Sequence, residues 1–416
     1  MTLGFIKQNV WVSALIILLS LYATPIVWAG GLTPKTYEKL IEIQELLASS
    51  DVTTANNQLA ELNAEVEDDT LAKAIVLQTW GYAEMANDNY AGAIDKFRAS
   101  LAVNKLPESA ELNVRYMMAQ LFASQGQFDD ALSEAQQWYE KLETPTPDNT
   151  MFLANIFAQL KKFEDAIVFA TRAIEQSETP KERWYQLLLA CYFETKQYAQ
   201  SASVLKKLIN YWPEKAEYWE QLASVYLLTE QNKFALSTLQ LAWKQGLLEK
   251  EMTIKSLIRL AINQEIPDRG ARLILEAIDA NMLPSDEIYL EMIARAWLQA
   301  REKEKAAQAY AALDQVMGNG SALLQQGKLL MELEQWTSAE TTLQGALDKG
   351  VDDAANAWLM LGITQIELER FGEGKRSLRK AQAFNKVKSQ ARAWINYAEQ
   401  KLSHNQWKAR SVAATN

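Results

Sequence analysis

The chain has 416 residues, of which 49% are hydrophobic and 23% are charged, so it can bury a core and is not a disordered tail. Its 16 Gly and 9 Pro are too few for the many turns of an all-β protein. A single Cys and a single His exclude an intramolecular disulfide, a His-rich metal site and a Ser-His-Asp triad, and the formal net charge of −10 argues against a nucleic-acid partner.

The first segment, residues 1–29, is predicted to be a secretory signal peptide. Lys7 precedes an uncharged apolar run, Pro25 breaks the helix, and Val27 and Ala29 are the small residues expected before a cleavage point. The apolar run approaches the roughly 20 residues that a membrane span needs, so an uncleaved N-terminal anchor is the alternative. Either interpretation exports the rest of the chain and predicts a periplasmic protein.

Residues 30–403 are predicted to form one array of helical hairpins. The recurring pattern is an aromatic residue, two further residues, a small residue, three more residues and an apolar one. The small residues are separated by 33 to 38 positions. They are Ala55 (a degenerate copy), Ala93, Ala131, Ala166, Ser201, Ala235, Ala271, Ala306, Ala339 and Gly374.

A second pattern lies eleven to thirteen residues before each of these small residues. It pairs a large residue with a small one, as in Trp80-Gly81 and Leu361-Gly362. The small residue of the first helix lets the second helix approach closely, and an apolar residue four positions beyond the second small residue shares its face. Prolines that would end the second helix without a kink follow it at Pro107, Pro145, Pro180, Pro213 and Pro284.

A period near 34 residues with this pattern is the tetratricopeptide repeat. Because one hairpin cannot bury its own apolar face, neighbouring hairpins must stack. The predicted fold is therefore all-α, an α-solenoid of about nine to ten hairpins. A weak first repeat is expected near 34–68, a C-terminal capping helix near 388–402, and a frayed tail at 404–416. No linker marks a second domain, and a bend is expected at the weakest copy, 249–266.

Candidate partner-binding residues follow from the repeat register. The first helix of each hairpin is expected to line the inner, concave side of the array, at positions three before and one after its small residue. Tyr and amide side chains there suit peptide recognition, and a merely solvated inner face is the alternative. The candidates are Gln78, Tyr82, Tyr116, Gln120, Asn155, Gln186, Glu220, Glu291, Arg295 and Lys328.

Charge is distributed unevenly along the chain. From Phe371 onward, ten Lys or Arg residues face only Glu373 and Glu399, giving +8, whereas the exported stretch before it carries −19. This basic end is either a polar cap that keeps the array soluble or a docking patch for an acidic partner or anionic headgroups. The candidate docking residues are Lys375, Arg376, Arg379, Lys380, Lys386, Lys388 and Arg392.

The opening "LTPKTYEKLIEIQELLASSD" and the closing "ELERFGEGKRSLRKAQAFNKVKSQARAWINYAEQ" resemble periplasmic tetratricopeptide proteins associated with the TonB systems of gammaproteobacteria. The resemblance implies an accessory of a TonB-ExbB-ExbD complex, which couples proton-motive force to iron-siderophore uptake. The alternative is a periplasmic binding module for envelope assembly or polysaccharide export. Both are non-enzymatic scaffolds with protein partners, so we predict neither a catalytic residue nor a bound cofactor.

Overall fold

The structure, a computed structural model, describes residues 32–68 and 70–415. This part of the chain contains 21 α-helices and no β-strand, which confirms the predicted all-α fold of helical hairpins. The predicted signal peptide, 1–29, lies outside the described residues. None of the described helices combines the length and the apolar character that crossing a membrane requires.

The chain divides into two compact units, Met1–Tyr211 and Trp212–Asn416. In the first unit, consecutive helices pair as five hairpins, and each hairpin packs on the next. Its helices are α1 (Pro34–Ala48), α2 (Val52–Glu65), α3 (Leu71–Ala86), α4 (Tyr90–Ala102), α5 (Glu108–Ser124), α6 (Phe128–Glu140), α7 (Pro147–Gln159), α8 (Phe163–Gln176), α9 (Glu182–Glu194) and α10 (Tyr198–Tyr211).

The second unit contains five further hairpins and one final helix. The final helix packs on the last hairpin. The helices are α11 (Ala216–Leu228), α12 (Asn232–Lys244), α13 (Glu251–Asn263), α14 (Pro267–Asp279), α15 (Glu287–Gln299), α16 (Lys303–Met317), α17 (Ser321–Glu332), α18 (Trp336–Asp348), α19 (Ala354–Glu367), α20 (Phe371–Gln382) and α21 (Lys388–Thr415).

The boundary between the two units falls between α10 and α11. The single array over 30–403 and the bend at 249–266 stay predictions, and α13 in that segment is a regular helix. In a repeat array each hairpin contacts only its neighbours, so a compact unit can end between any two hairpins. Such a boundary needs no Gly- or Pro-rich linker and leaves no mark in the composition.

The small residues of the repeat are buried as the register predicts. All nine Ala and Ser members, from Ala55 to Ala339, have no exposed surface, and Gly374 is also buried. The glycines of the first helices show how close the two helices come. A Cβ placed on Gly81 would lie 2.4 Å from a ring carbon of Phe97, and one on Gly362 would lie 2.6 Å from Leu378. Close approach therefore requires these small residues.

The turn inside each hairpin has one geometry in all ten copies. The residue at its centre has a left-handed backbone, and the next N–H donates to the carbonyl five residues earlier, as from Gln231 to Tyr226 at 2.7 Å. This bond closes the end of the first helix. Gly126 is the one glycine among the ten central residues. The other nine are Ser50, Asp88, Lys161, Lys196, Glu230, Glu265, Arg301, Glu334 and Glu369.

The final helix is longer than the capping helix predicted at 388–402. It begins at Lys388, buries Ala391 and Ala398 against the last hairpin, and runs on to Thr415. The segment 404–416, predicted to be frayed, is thus helical through Thr415. It contains neither Pro nor Gly and several good helix formers, so no residue in it stops the helix.

Candidate functional site

Two of the predicted inner-face residues, Gln78 and Tyr82 on α3, belong to the packed interior. Gln78 is 6% exposed and its Nε2 lies 3.5 Å from the Tyr82 hydroxyl, to which it donates. The Tyr82 ring meets Phe97 edge-on, with 5.1 Å between centroids, and burial raises the pKa of Tyr82. The register placed both residues on the inner face, but α3 packs against α1, α2 and α4 and is covered on most sides. Gln78 is thus buried and Tyr82 is half-buried, and their role in partner binding stays a prediction.

Tyr116 and Gln120 on α5 are half-buried in an aromatic cluster. The Tyr116 ring stacks on Trp138 at 4.5 Å and meets Phe152 edge-on at 5.3 Å. Burial raises the pKa of the Tyr116 hydroxyl. The Gln120 Oε1 atom is buried and has no hydrogen-bond partner among the described residues. Packing between neighbouring hairpins therefore holds Tyr116 rigidly.

Four of the remaining six predicted positions in the first helices are exposed. They are Asn155 on α7, Gln186 on α9, Arg295 on α15 and Lys328 on α17. The Asn155 amide donates to the Met151 carbonyl at 2.8 Å, and Arg295 forms an ion pair along its own helix. Asn155 and Gln186 lie in the first unit, and Arg295 and Lys328 lie in the second.

Exposed apolar side chains on α11 and α15 were missed by the sequence analysis. These first-helix apolar residues are Leu227, Leu228, Ile288 and Leu298, with exposed fractions of 40%, 63%, 67% and 43%. Leu227 and Leu298 occupy the same register position, eight residues before the small residue of their repeats. This shared position is the sequence signal from which the exposure of Leu227 and Leu298 could have been predicted.

Two of the predicted inner-face residues are carboxylates, and both occupy repeat positions close to those of the exposed apolar residues. Glu220 on α11 accepts hydrogen bonds from Lys250 at 2.6 Å and from Thr253 at 2.9 Å, both in the next repeat. Glu291 on α15 pairs with Arg295. The first helices of the second unit thus present apolar side chains beside ion-paired carboxylates. Such a surface suits a segment that is both apolar and polar, rather than a reaction centre.

Three of the seven predicted basic docking residues are engaged within the fold. Lys386 pairs with Asp353 at 2.7 Å and, through that hydrogen bond, lowers the pKa of the Asp353 carboxyl. Lys375 pairs with Glu399 of α21 at 3.6 Å. The Lys380 ammonium lies 3.9 Å from the ring centroid of Trp358. These three side chains thus have partners in the last hairpin and its cap, and the docking patch of seven residues stays a prediction.

The remaining four, Arg376, Arg379, Lys388 and Arg392, form what we call the basic surface. All four are exposed, and none makes an ion pair with a described residue. Arg376 and Arg379 lie on the side of α20 opposite its buried Ser377 and Leu378. The basic surface therefore offers cations whose charge is not neutralised inside the fold.

Several charged residues elsewhere join neighbouring hairpins. Lys181 reaches Asp148 at 2.7 Å and Arg370 reaches Glu340 at 2.6 Å, at separations of 33 and 30 residues. The buried Asp314 pairs in the same way with Lys349. In the part of the chain that the structure describes, no three His, Cys, Asp or Glu side chains are placed to hold a metal ion. The charged side chains named here thus have structural partners.

Solved structures with similar folds include a tetratricopeptide repeat protein from Parabacteroides merdae, with 16% identity, a TM-score of 0.37, and coverage of 63% of this chain and 99% of that one. The C-terminal part of a TPR repeat-containing protein from Cytophaga hutchinsonii has 16% identity, a TM-score of 0.36, and coverage of 66% and 94%. YrrB, a TPR protein with an unusual peptide-binding site, has 14% identity, a TM-score of 0.35, and coverage of 44% and 89%. No curated protein sequence matches the chain.

A family model described as a tetratricopeptide repeat matches three segments, 116–179, 256–320 and 324–384. These segments lie in both compact units and contain complete hairpins, among them α7 with α8 and α19 with α20. The buried small residues and the uniform turns continue the same register outside the matched segments. The three matched segments are thus similar to tetratricopeptide repeats, and the hairpins outside them share the same register.

Proposed function

We propose that this protein is a non-enzymatic, periplasmic protein-protein interaction scaffold that serves a TonB-ExbB-ExbD complex in iron-siderophore uptake. The observation that carries the scaffold role is the exposure of Leu227, Leu228, Ile288 and Leu298 on first helices. Scattered apolar residues are normal on a protein surface, but Leu227 and Leu298 repeat at one register position, as contacts with a partner along the array would require.

Export to the periplasm is supported by the signal-like segment at 1–29. A second feature agrees with this location. The single thiol, Cys191, is 1% exposed, so it is protected from the oxidising chemistry of that compartment. The TonB assignment is supported by the resemblance of the opening and closing segments to proteins of that group.

Location and partners can be tested together in the organism that encodes the chain. The tagged full-length protein is fractionated, crosslinked in cells and purified from the envelope. We expect it in the periplasmic fraction, crosslinked to TonB-complex components, and we expect its deletion to lower siderophore-dependent iron uptake. Recovery from the cytoplasm would contradict the export proposal. Crosslinking to envelope-assembly or polysaccharide-export components would instead support the alternative function.

The contact surface is tested with a pair of matched variants. Leu228→Glu with Ile288→Glu places two charges among the first-helix apolar residues. Val168→Glu with Val316→Glu makes the same chemical change at exposed positions of second helices, where the exposed fractions are 54% and 51%. We expect the first variant to remain folded and lose its crosslinked partner, and the second to retain the partner. Equal loss in both variants would contradict a specific role for the first helices.

A further inference from the structure

We propose that the basic surface docks the C-terminal end of this protein onto an anionic phospholipid membrane. This inference goes beyond the proposed function, because a scaffold that binds proteins has no need to touch lipid. It also does not depend on which protein partner the scaffold serves.

The first support is that the basic surface carries unneutralised cations at one end of the chain. Arg376 and Arg379 project from α20, and Lys388 and Arg392 project from α21. Nearby lysines such as Lys386 find carboxylate partners, but these four do not pair with any described residue. Arginine forms paired hydrogen bonds with phosphate oxygens, and each exposed cation near an anionic leaflet strengthens binding.

The second support is that the two helices bring these cations side by side. Lys388, Arg392 and Glu399 follow one another at spacings of four and seven residues, so they share one stripe of α21. Glu399 forms an ion pair with Lys375 of α20. That ion pair places the stripe carrying Lys388 and Arg392 along the border with α20. The four cations therefore belong to one surface rather than to two separate ones.

The third support is the aromatic composition of the exposed part of α21. Tyr397 is 39% exposed and Trp407 is 64% exposed on the same helix as the cations. Tyr and Trp are enriched at the membrane-water interface, at the level of the lipid headgroups. A helix that combines Lys or Arg with exposed aromatic side chains has the composition of an interfacial helix. This combination favours a lipid surface over an acidic protein, for which the cations alone would be sufficient.

The charge of the rest of the chain would orient the docked protein. The exported stretch before Phe371 carries −19 and the stretch from Phe371 onward carries +8. An anionic membrane repels the first stretch and attracts the second, within a screening distance of about 10 Å at 0.1 M salt. The attraction to the membrane is therefore confined to the C-terminal stretch that carries the basic surface.

The test measures sedimentation of the full chain with vesicles. One set contains phosphatidylglycerol mixed with phosphatidylethanolamine, and the other contains phosphatidylcholine alone. The difference between the two sets is the readout, because an apolar segment such as 1–29 would bind both. The test variant combines Arg376→Gln, Arg379→Gln and Arg392→Gln. The matched control combines Lys162→Gln, Lys207→Gln and Lys233→Gln, which removes the same charge from exposed positions elsewhere.

We expect the wild type and the control to prefer anionic vesicles and to lose that preference at high salt. The test variant should bind them about a hundredfold more weakly, because three cation contacts are lost. Circular dichroism of both variants confirms that they are folded. Equal binding by the test variant, or equal binding to neutral vesicles, would overturn the proposal. Salt-sensitive self-association or capture by an acidic protein without vesicle binding would also overturn it.

Discussion

At the scale of single residues, the turns inside the hairpins hold nine non-glycine residues in a left-handed backbone that favours glycine. Gly126 is the exception, with φ 76°. We predict that Gly126→Ala lowers the free energy of unfolding by about 1 kcal/mol, because alanine is strained there. Glu230→Gly, at the equivalent position, should be neutral or stabilising. Chemical denaturation measures both, and a clearly destabilising Glu230→Gly would show that the Glu230 side chain matters more than its backbone strain.

The buried thiol gives a second prediction at this scale. Burial raises the pKa of Cys191 to about 11, and Glu194 adds to the shift, so little thiolate exists at neutral pH. The side chain is also only 1% exposed. A thiol reagent should therefore label Cys191 at least roughly a hundredfold more slowly in the native protein than in denaturant, since the native protein must first open locally. Rapid native labelling would contradict the burial of Cys191 in α9.

At the scale of elements, the hairpins depend on close contact between their two helices. Gly81→Ala would place a Cβ 2.4 Å from the Phe97 ring, so we predict a loss of about 1–3 kcal/mol in the free energy of unfolding. Gly372→Ala is the control, because no atom lies within 4 Å of its added Cβ. It should instead stabilise α20 by about 0.5 kcal/mol, since alanine favours a helix over glycine. Changes of opposite sign in the free energy of unfolding of the two variants would confirm that a close contact excludes a side chain at Gly81 and not at Gly372.

A pH-dependent prediction concerns an ion network between α5 and α6. The Glu111 carboxylate accepts from Lys141 at 2.8 Å and from Arg115 at 3.0 Å, and Arg115 also reaches Glu134 at 2.8 Å. The hydrogen bond from Lys141 lowers the pKa of Glu111 against the opposing effect of burial, and Arg115 lowers it further.

A carboxyl whose pKa is lowered by folding stabilises the fold above its unfolded pKa, about 4.3 for Glu, and loses this contribution as pH falls through the folded value. Glu111→Gln should therefore cost about 1 kcal/mol at pH 7 and less at pH 3. Denaturation at the two pH values tests this. A cost that stays constant with pH would assign the effect of Glu111 to packing rather than to charge.

At the scale of the whole molecule, each hairpin contacts only its neighbours. A destabilising substitution should therefore loosen the hairpins around it and leave distant hairpins folded. Ala166 has no exposed surface, so Ala166→Glu buries an unpaired charge and should cost roughly 3 kcal/mol or more. We expect amide hydrogen exchange to accelerate in α7, α8 and α9 and to remain slow in α15 to α18. The reciprocal variant, Leu361→Asp in α19, should loosen the last hairpins and spare α3 to α6. A single cooperative transition in either variant would contradict local propagation.

Sequence by itself determined the class and the register of this fold. Every copy has a small residue, and prolines follow second helices. Any hairpin of this kind needs such local features, so they can be recognised in the sequence without coordinates. That is why Ala93, Ala166 and Ala306 were predicted at the close contacts where the structure buries them. The charge imbalance of the C-terminal stretch is also a property of the sequence alone.

Only the tertiary structure decided which side chains a partner could reach. Register placed Gln78 and Asn155 alike on an inner face, but the neighbours of α3 bury Gln78, whereas Asn155 is exposed. Likewise Lys386 and Arg392 are equivalent as sequence charges, yet Asp353 neutralises only Lys386. Burial and ion pairing depend on residues about 30 positions away in the next hairpin. A pattern within one repeat contains no information about those contacts, so the accessible surface emerged only when the hairpins were stacked.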